Sequence, residues 1–270
     1  MAISANLLSR LATAVVAVPL ILWLLFVAPP WGFFVLIFTA GLVGCLELFA
    51  MTHPGDKISQ GFGVLLSAAA SLGVYFFGRD PKVLMTLLVV IPVAAPLLTL
   101  ARLGDMPTAA LRACAMGFGP FFAAIPLTLL AVIQRDFAPG YALLAMSFAW
   151  GSDTVAYFAG KSFGRHKLFE AVSPKKTVEG ALGGLVGSVL GAVIGHFWFV
   201  PQLSLAHGIP LAIVAGALGQ LGDLGESVLK RATGVKDSGA ILPGHGGILD
   251  RVDALLVTTV AVYVYLLWSV

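Results

Sequence analysis

Nine apolar runs, near residues 11–28, 31–51, 61–78, 83–101, 114–134, 140–160, 178–200, 208–229 and 251–269, take up most of this 270-residue chain. About 20 apolar residues cross the hydrocarbon core of a bilayer as one helix. Only 11% of the residues are charged and 59% are hydrophobic, against about 25% charged in soluble domains. A soluble globule of this size could not cover so much apolar surface. The expected fold is therefore all-α, a polytopic integral membrane protein with about nine transmembrane helices. The first run is long for a signal-peptide core and lacks a small-residue cleavage site, so it is read as a span. Residues 1–140 are expected to form about five scaffold, lipid-facing helices, and residues 141–270 a second region of about four helices that carries the charged loops. Cys45 and Cys114 lie in apolar stretches and read as unpaired packing residues.

Charge sets an orientation. With the N-terminus in the cytoplasm and the C-terminus outside, thirteen of the 16 Lys and Arg fall on the cytoplasmic side, and only Arg79, Lys82 and Arg135 fall outside. Such a bias is the positive-inside pattern. Trp31, Trp198 and Trp268 then lie near the outer interface, where aromatic belts form. The acids follow the bases, which the positive-inside pattern does not require. Only Asp80 and Asp136 of the 13 Asp and Glu fall outside. Both signs gathered on one face suggest a site for a charged cytosolic reactant.

The eighth run carries Asp223, Glu226, Ser227, Lys230 and Arg231 at i, i+3, i+4, i+7 and i+8, one face of a helix. A lone carboxylate at Asp223, about 12 Å from Arg231 along the axis, would be costly in a membrane. A bound metal ion or an internal ion pair, with Lys230 or a neighbouring Arg, would stabilise it. Asp250 and Asp253 open the last run one turn apart, spaced for helix capping or for oxygen ligation of Mg²⁺. Before them, Gly244-His245-Gly246-Gly247 allows backbone N–H groups to approach an anion. Ser173-Pro174-Lys175-Lys176-Thr177-Val178-Glu179 reads as a helix start, with Ser173 as N-cap and Pro174 at the first position, its two lysines placed to hold phosphates or to serve as positive-inside anchors. Asp153, in Ser152-Asp153-Thr154, is a candidate for the same acidic pocket. Gly183, Gly187, Gly191 and Gly195 form a small-xxx-small ladder for close helix packing, internal or between subunits. Glu47, His196 and His207 have no constellation around them and read as structural or interfacial.

These motifs resemble the phosphatidate cytidylyltransferase (CDP-diacylglycerol synthase) family. The resemblance rests on Ser-x-x-Lys-Arg from Ser227, then Lys236-Asp237, then Pro-Gly-His-Gly-Gly ending in Asp250-Arg251-Val252-Asp253. The stretches from Ser152 and Ser173 also match, so that roughly residues 145–255 are covered. The resemblance implies a membrane enzyme, usually homodimeric, that converts CTP and phosphatidate to CDP-diacylglycerol and pyrophosphate with Mg²⁺, and with a second cation such as K⁺. Membrane lipids are the other expected partners, and no nucleic acid is expected. Asp223, Asp250, Lys230 and Arg231 are the expected catalytic residues, and Asp223, Asp250 and Asp253 the expected metal ligands. Substrate contacts are expected from Asp153, Lys175, Lys176, Thr177, Glu179, Ser227, Lys236, Asp237, His245, Gly246, Gly247 and Arg251. A relative acting on another lipid phosphate is the nearest alternative. A transporter is disfavoured because the two halves are unlike, whereas many transporters carry repeated halves with a midplane site.

Overall fold

In the computed structural model the described residues are 5–239 and 246–269, with side chains from Val15 onward. The His245 expectation lies outside them. Each of the nine apolar runs meets a helix: α1 (Ala5–Phe26), α2 (Pro30–Thr52), α3 (Lys57–Phe77), α4 (Pro81–Ala101), α5 (Met106–Gly119) continuing into α6 (Ile125–Asp136), α7 (Pro139–Phe163), α8 (Val178–Trp198), α9 (Leu205–Ala232) and α10 (Leu249–Ser269). Among the described residues, seven helical rods are long and apolar enough to cross a membrane. This is a multi-pass membrane protein. The chain forms two compact units, residues 1–131 with 237–251, and residues 132–236 with 252–270.

The first unit is organised around α2. Phe49, fully buried, packs its ring over two glycines, Gly63 of α3 and Gly119 of α5. A Cβ at Gly119 would lie 2.7 Å from that ring, so both neighbours must be small. Phe34 stacks on Tyr75 at 3.7 Å, and the Ser71 and Thr128 hydroxyls meet at 2.6 Å inside the bundle. Pro120 has no N–H to donate and its ring would strike the preceding turn. The chain there widens into a π-turn over Pro120–Ala124, with Ile125 N–H donating to the Pro120 carbonyl. Single π-turns inside α-helices are the usual way to absorb such a defect. Cys45 is buried against the Gly119 carbonyl at 3.8 Å. Cys114 is free, as expected, but it is exposed on α5 instead of packed, on a helical rod apolar enough to cross a membrane. Between α2 and α3, Asp56 caps α3 through Ser59 and pairs with Arg102 at 3.1 Å. The Arg102 guanidinium, and after it the Ser59 hydroxyl, hold the Asp56 carboxyl well below the usual carboxylate range.

The second unit is held by close backbone approach. The glycine ladder of α8 faces α7 within the same chain. Gly187 lies on Gly151, Gly191 on Ser147, Gly183 on Ala159 and Gly180 on Gly160. Gln220 of α9 donates to Ala181 O at 3.0 Å and lies 3.3 Å from the Ser152 hydroxyl, tying α9 to α8 and α7. Gly219 and Gly222 let α10 approach α9. A Cβ at Gly222 would sit 3.1 Å from the Asp253 carbonyl. His196 and His207 serve the structure, contacting Leu203 O at 2.8 Å and the Tyr265 hydroxyl at 3.0 Å.

One element was not expected. Lys167–Phe169 and Ser173–Thr177 form an antiparallel hairpin, β1–β2. Ser173 and Pro174 therefore do not start a helix. Thr177 is the N-cap of α8, its hydroxyl accepting from Gly180 N at 3.1 Å. Lys175 and Lys176 consequently project from a strand, not from a first helical turn.

Candidate active site

The hairpin is fixed from two helices. Glu179, in the first turn of α8, accepts from Arg165 N at 3.0 Å and contacts His166 Nδ1 at 2.6 Å. Arg231, near the end of α9, donates through Nε to Val172 O at 3.3 Å and through a terminal nitrogen to Val235 O at 3.4 Å. Lys167 closes the hairpin on Pro174 O at 2.5 Å. Glu179 and Arg231, expected at the substrate, thus hold backbone in place.

The clamped hairpin closes one side of a cavity of about 410 Å³ in the second unit. Its charged lining comes from three elements: Asp153 and Lys161 of α7, Lys175 and Lys176 of β2, and Asp223 of α9. Lys176 Nζ lies 2.5 Å from Asp223 Oδ2, both side chains about one-quarter exposed. The partner of Asp223 is therefore Lys176, not Lys230. Lys230 pairs at 2.9 Å with Glu226, one turn away on the same helix, and both are buried. An i, i+4 pair lies on one stripe of the helix surface, whereas i+7 is about 10 Å distant. Asp253 is buried and feels the charges of Asp223, Glu226 and Asp153. Among the described residues no three carboxylate, His or Cys side chains converge into a ready metal cage.

Several cavity residues carried little signal in the sequence. Lys161 ranks only as a positive-inside residue, yet its Nζ sits 5.9 Å from the Tyr157 ring centroid at the cavity wall. Gln220 is one turn before Asp223, and its polarity inside an apolar run was the available clue. Other expected residues fall elsewhere. Ser227 is buried, while Lys236, Asp237 and Arg251 are exposed.

Asp250 belongs to the first unit. Its Oδ2 accepts from Ser238 N at 3.0 Å and Gly247 N at 3.0 Å, and lies 2.9 Å from the Ser238 hydroxyl. Gly247 precedes Asp250 by three residues, so this carboxylate turns back on the loop that leads into its own helix. Gly246 adopts φ +78°, a left-handed conformation that a side chain would strain.

Fold and cavity together define a polytopic helical membrane protein with a mixed-charge cavity built from its C-terminal helices and a short hairpin. The chain belongs to the cytidylyltransferase family, whose sequence profile matches residues 8–269. A Bacillus subtilis protein named phosphatidate cytidylyltransferase is 51% identical over 118 residues, 43% of this chain and 43% of the relative. A Thermotoga maritima protein of that name is 41% identical over 137 residues, 49% and 51% respectively. A third, from Staphylococcus haemolyticus, is 47% identical over 116 residues, 43% and 45%. The chain spans about half the length of these curated relatives.

Proposed function

We propose that the protein transfers the cytidylyl group of CTP to phosphatidate, giving CDP-diacylglycerol and pyrophosphate. The observation that carries this reading is a single cavity lined by two carboxylates and three ammonium groups, in a membrane protein of the cytidylyltransferase family. A phosphate oxygen of the lipid attacks the α-phosphorus of CTP, the bond from that phosphorus to the bridging oxygen breaks, and pyrophosphate leaves. A phosphomonoester has a second pKa near 6 by analogy with phosphoserine, so the nucleophile is already ionised at neutral pH. The work left to the protein is alignment and charge compensation. Lys175 and Lys176 hold the triphosphate at the hairpin, and Lys161 of α7 adds a third positive charge to the lining.

Mg²⁺ usually binds through one or two carboxylates plus substrate phosphates, and Asp153 and Asp223 on one cavity fit that donor set. Asp253, buried at the start of α10 and subject to their charges, would be a further ligand. The Lys176 ammonium against Asp223 marks a carboxylate that is stable beside a cation. When bound, Mg²⁺ would neutralise phosphate oxygens and the charge developing on the leaving pyrophosphate. Asp250, also expected as a ligand, has a second role in tying Ser238 and Gly247 to the start of α10. We further propose an active site facing the cytoplasm, homodimer formation, and K⁺ as a second cation.

The deciding experiment supplies the detergent-purified protein with CTP, Mg²⁺ and phosphatidate. Pyrophosphate and a CDP-lipid in equal amounts are expected. Absence of both from well-folded protein would refute the assignment, and transfer only to another lipid phosphate would redirect it.

Two further outcomes follow. Lys175→Ala and Lys176→Ala are expected to raise KM for CTP by about 10-fold or more, the cost of one charge-assisted phosphate contact, with a smaller change for phosphatidate. Steady-state kinetics in mixed micelles, varying each substrate in turn, would show this. For orientation, single cysteines within residues 161–177 are expected to resist an impermeant thiol reagent in intact cells and react after lysis. Labelling before lysis would reverse the topology.

A further inference from the structure

Glu47 lies in α2, far from every charged motif in the sequence, and only 4% of it is exposed. Its carboxylate is nevertheless fully engaged by the segment that starts α10. Oε1 accepts from Ile248 N at 3.0 Å, and Oε2 accepts from Leu249 N at 2.9 Å. The Ser238 hydroxyl reaches Oε2 at 3.1 Å and Asp250 Oδ2 at 2.9 Å. One hydroxyl thus stands between the two carboxylates, while Ser238 N–H is committed to Asp250.

The chain is shaped to admit Glu47. A Cβ at Gly247 would lie 2.5 Å from Oε2, and one at Gly239 would lie 2.8 Å from the carboxyl carbon. Gly44, one turn earlier on α2, lies against Leu249, which is fully buried. The first N–H groups of a helix have no partners within it, and negative charge at that end is favoured by the helix dipole. Glu47 supplies both. A carboxylate accepts only, whereas a glutamine amide would set its own N–H₂ against donors.

We propose that Glu47 is a positioning residue for the transfer reaction: it fixes the start of α10 and, through Ser238, the carboxylate of Asp250. The inference rests on the cytidylyl-transfer reading and gives the N-terminal helices a part in it. Residue 47 touches no substrate. It sets where α10 begins, and that helix carries Asp250 and Asp253 one turn apart.

The test is Glu47→Gln in the full-length protein, with two readouts. Hydrogen–deuterium exchange of the peptide covering residues 246–256 is expected to quicken about tenfold or more, while peptides from α3 and α8 stay at wild-type rates. The kcat is expected to fall about tenfold or more, with KM for CTP changed by less than about threefold. Should E47Q fail to accumulate, Ser238→Ala carries the same test with a smaller fall in kcat. Unchanged exchange at 246–256, a rise spread evenly over the chain, or local opening with wild-type kcat would each overturn the positioning role. Absence of transfer by the wild-type protein would instead sink the functional reading, so the two failures are distinguishable.

Discussion

Asp223→Asn is expected to lower turnover by about 100-fold or more while leaving the protein folded in the membrane. The ion pair seen in the structure and the proposed metal role give two accounts of this carboxylate, and they differ in magnitude. As the partner of Lys176, with both side chains about one-quarter exposed, it makes an ion pair of a kind worth only about 0–1 kcal/mol. Losing such a pair would change kcat less than about fivefold. As a group that fixes a metal-bound triphosphate, its charge acts where charge develops during transfer, and removing one such contact costs about 3 kcal/mol or more. The amide of Asn keeps the size and removes the charge, so packing beside Gly222 is preserved. The measurement is kcat as a function of Mg²⁺ concentration for D223N, K176Q and the double variant. If Asp223 served only the ion pair, the double variant would resemble K176Q. Near-wild-type turnover of D223N at ordinary Mg²⁺ would end its assignment to the metal.

The parts of this protein that were legible in the sequence are those fixed by solvent. Burying backbone in lipid demands helices, and among the described residues each of the nine apolar runs meets a helical stretch with its ends displaced by a few residues. The motif residues stand out in the sequence because a carboxylate such as Asp223 in an apolar run has few inexpensive alternatives. Partner choice was not legible. Asp223 reaches Lys176, 47 positions away across a turn and a helix, while Lys230 is taken by Glu226 on its own helix. Helical spacing ranks neighbours on one helix and is silent about neighbours on another. The hairpin escaped for a different reason. Strands of 3 and 5 residues with mostly exposed side chains carry no alternating apolar pattern, and Ser-Pro before two lysines imitates a helix start. Glu47 escaped because its partners are backbone N–H groups and one serine about 190–200 residues later. Backbone donors leave no trace in composition.

The glycine ladder carries the other large expectation, on folding rather than chemistry. Gly187→Ala is expected to lower the melting temperature of the detergent-purified protein by roughly 5 °C or more, and Gly187→Leu to prevent accumulation in the membrane. In most glycine contacts an added methyl group meets the end of a side chain that can turn away. Here it would overlap the Gly151 carbonyl, with the carbonyl carbon 2.7 Å away and Val155 Cβ at 3.0 Å. The approach is reciprocal, since a Cβ at Gly151 would lie 2.8 Å from the Gly187 carbonyl. Two backbones can separate only if the helices move apart, which would also disturb Gly183, Gly191 and the Ser188 hydroxyl bond to Phe148 O at 3.1 Å. Overpacking of this kind costs about 1–3 kcal/mol, and each kcal/mol moves the midpoint of a chain this size by about 2–4 °C. Gly225 is the control. It also lies inside a long helix, near Asp223, but nothing stands within 4 Å of the Cβ it would gain. Gly225→Ala should therefore leave the melting temperature unchanged or raise it, because alanine favours a helix over glycine by about 1 kcal/mol. Equal losses at 187 and 225 would mean that helix flexibility, not the contact between α7 and α8, explains the glycines. A loss at 187 alone would make that contact the support on which α7 carries Asp153 and Lys161 to the cavity.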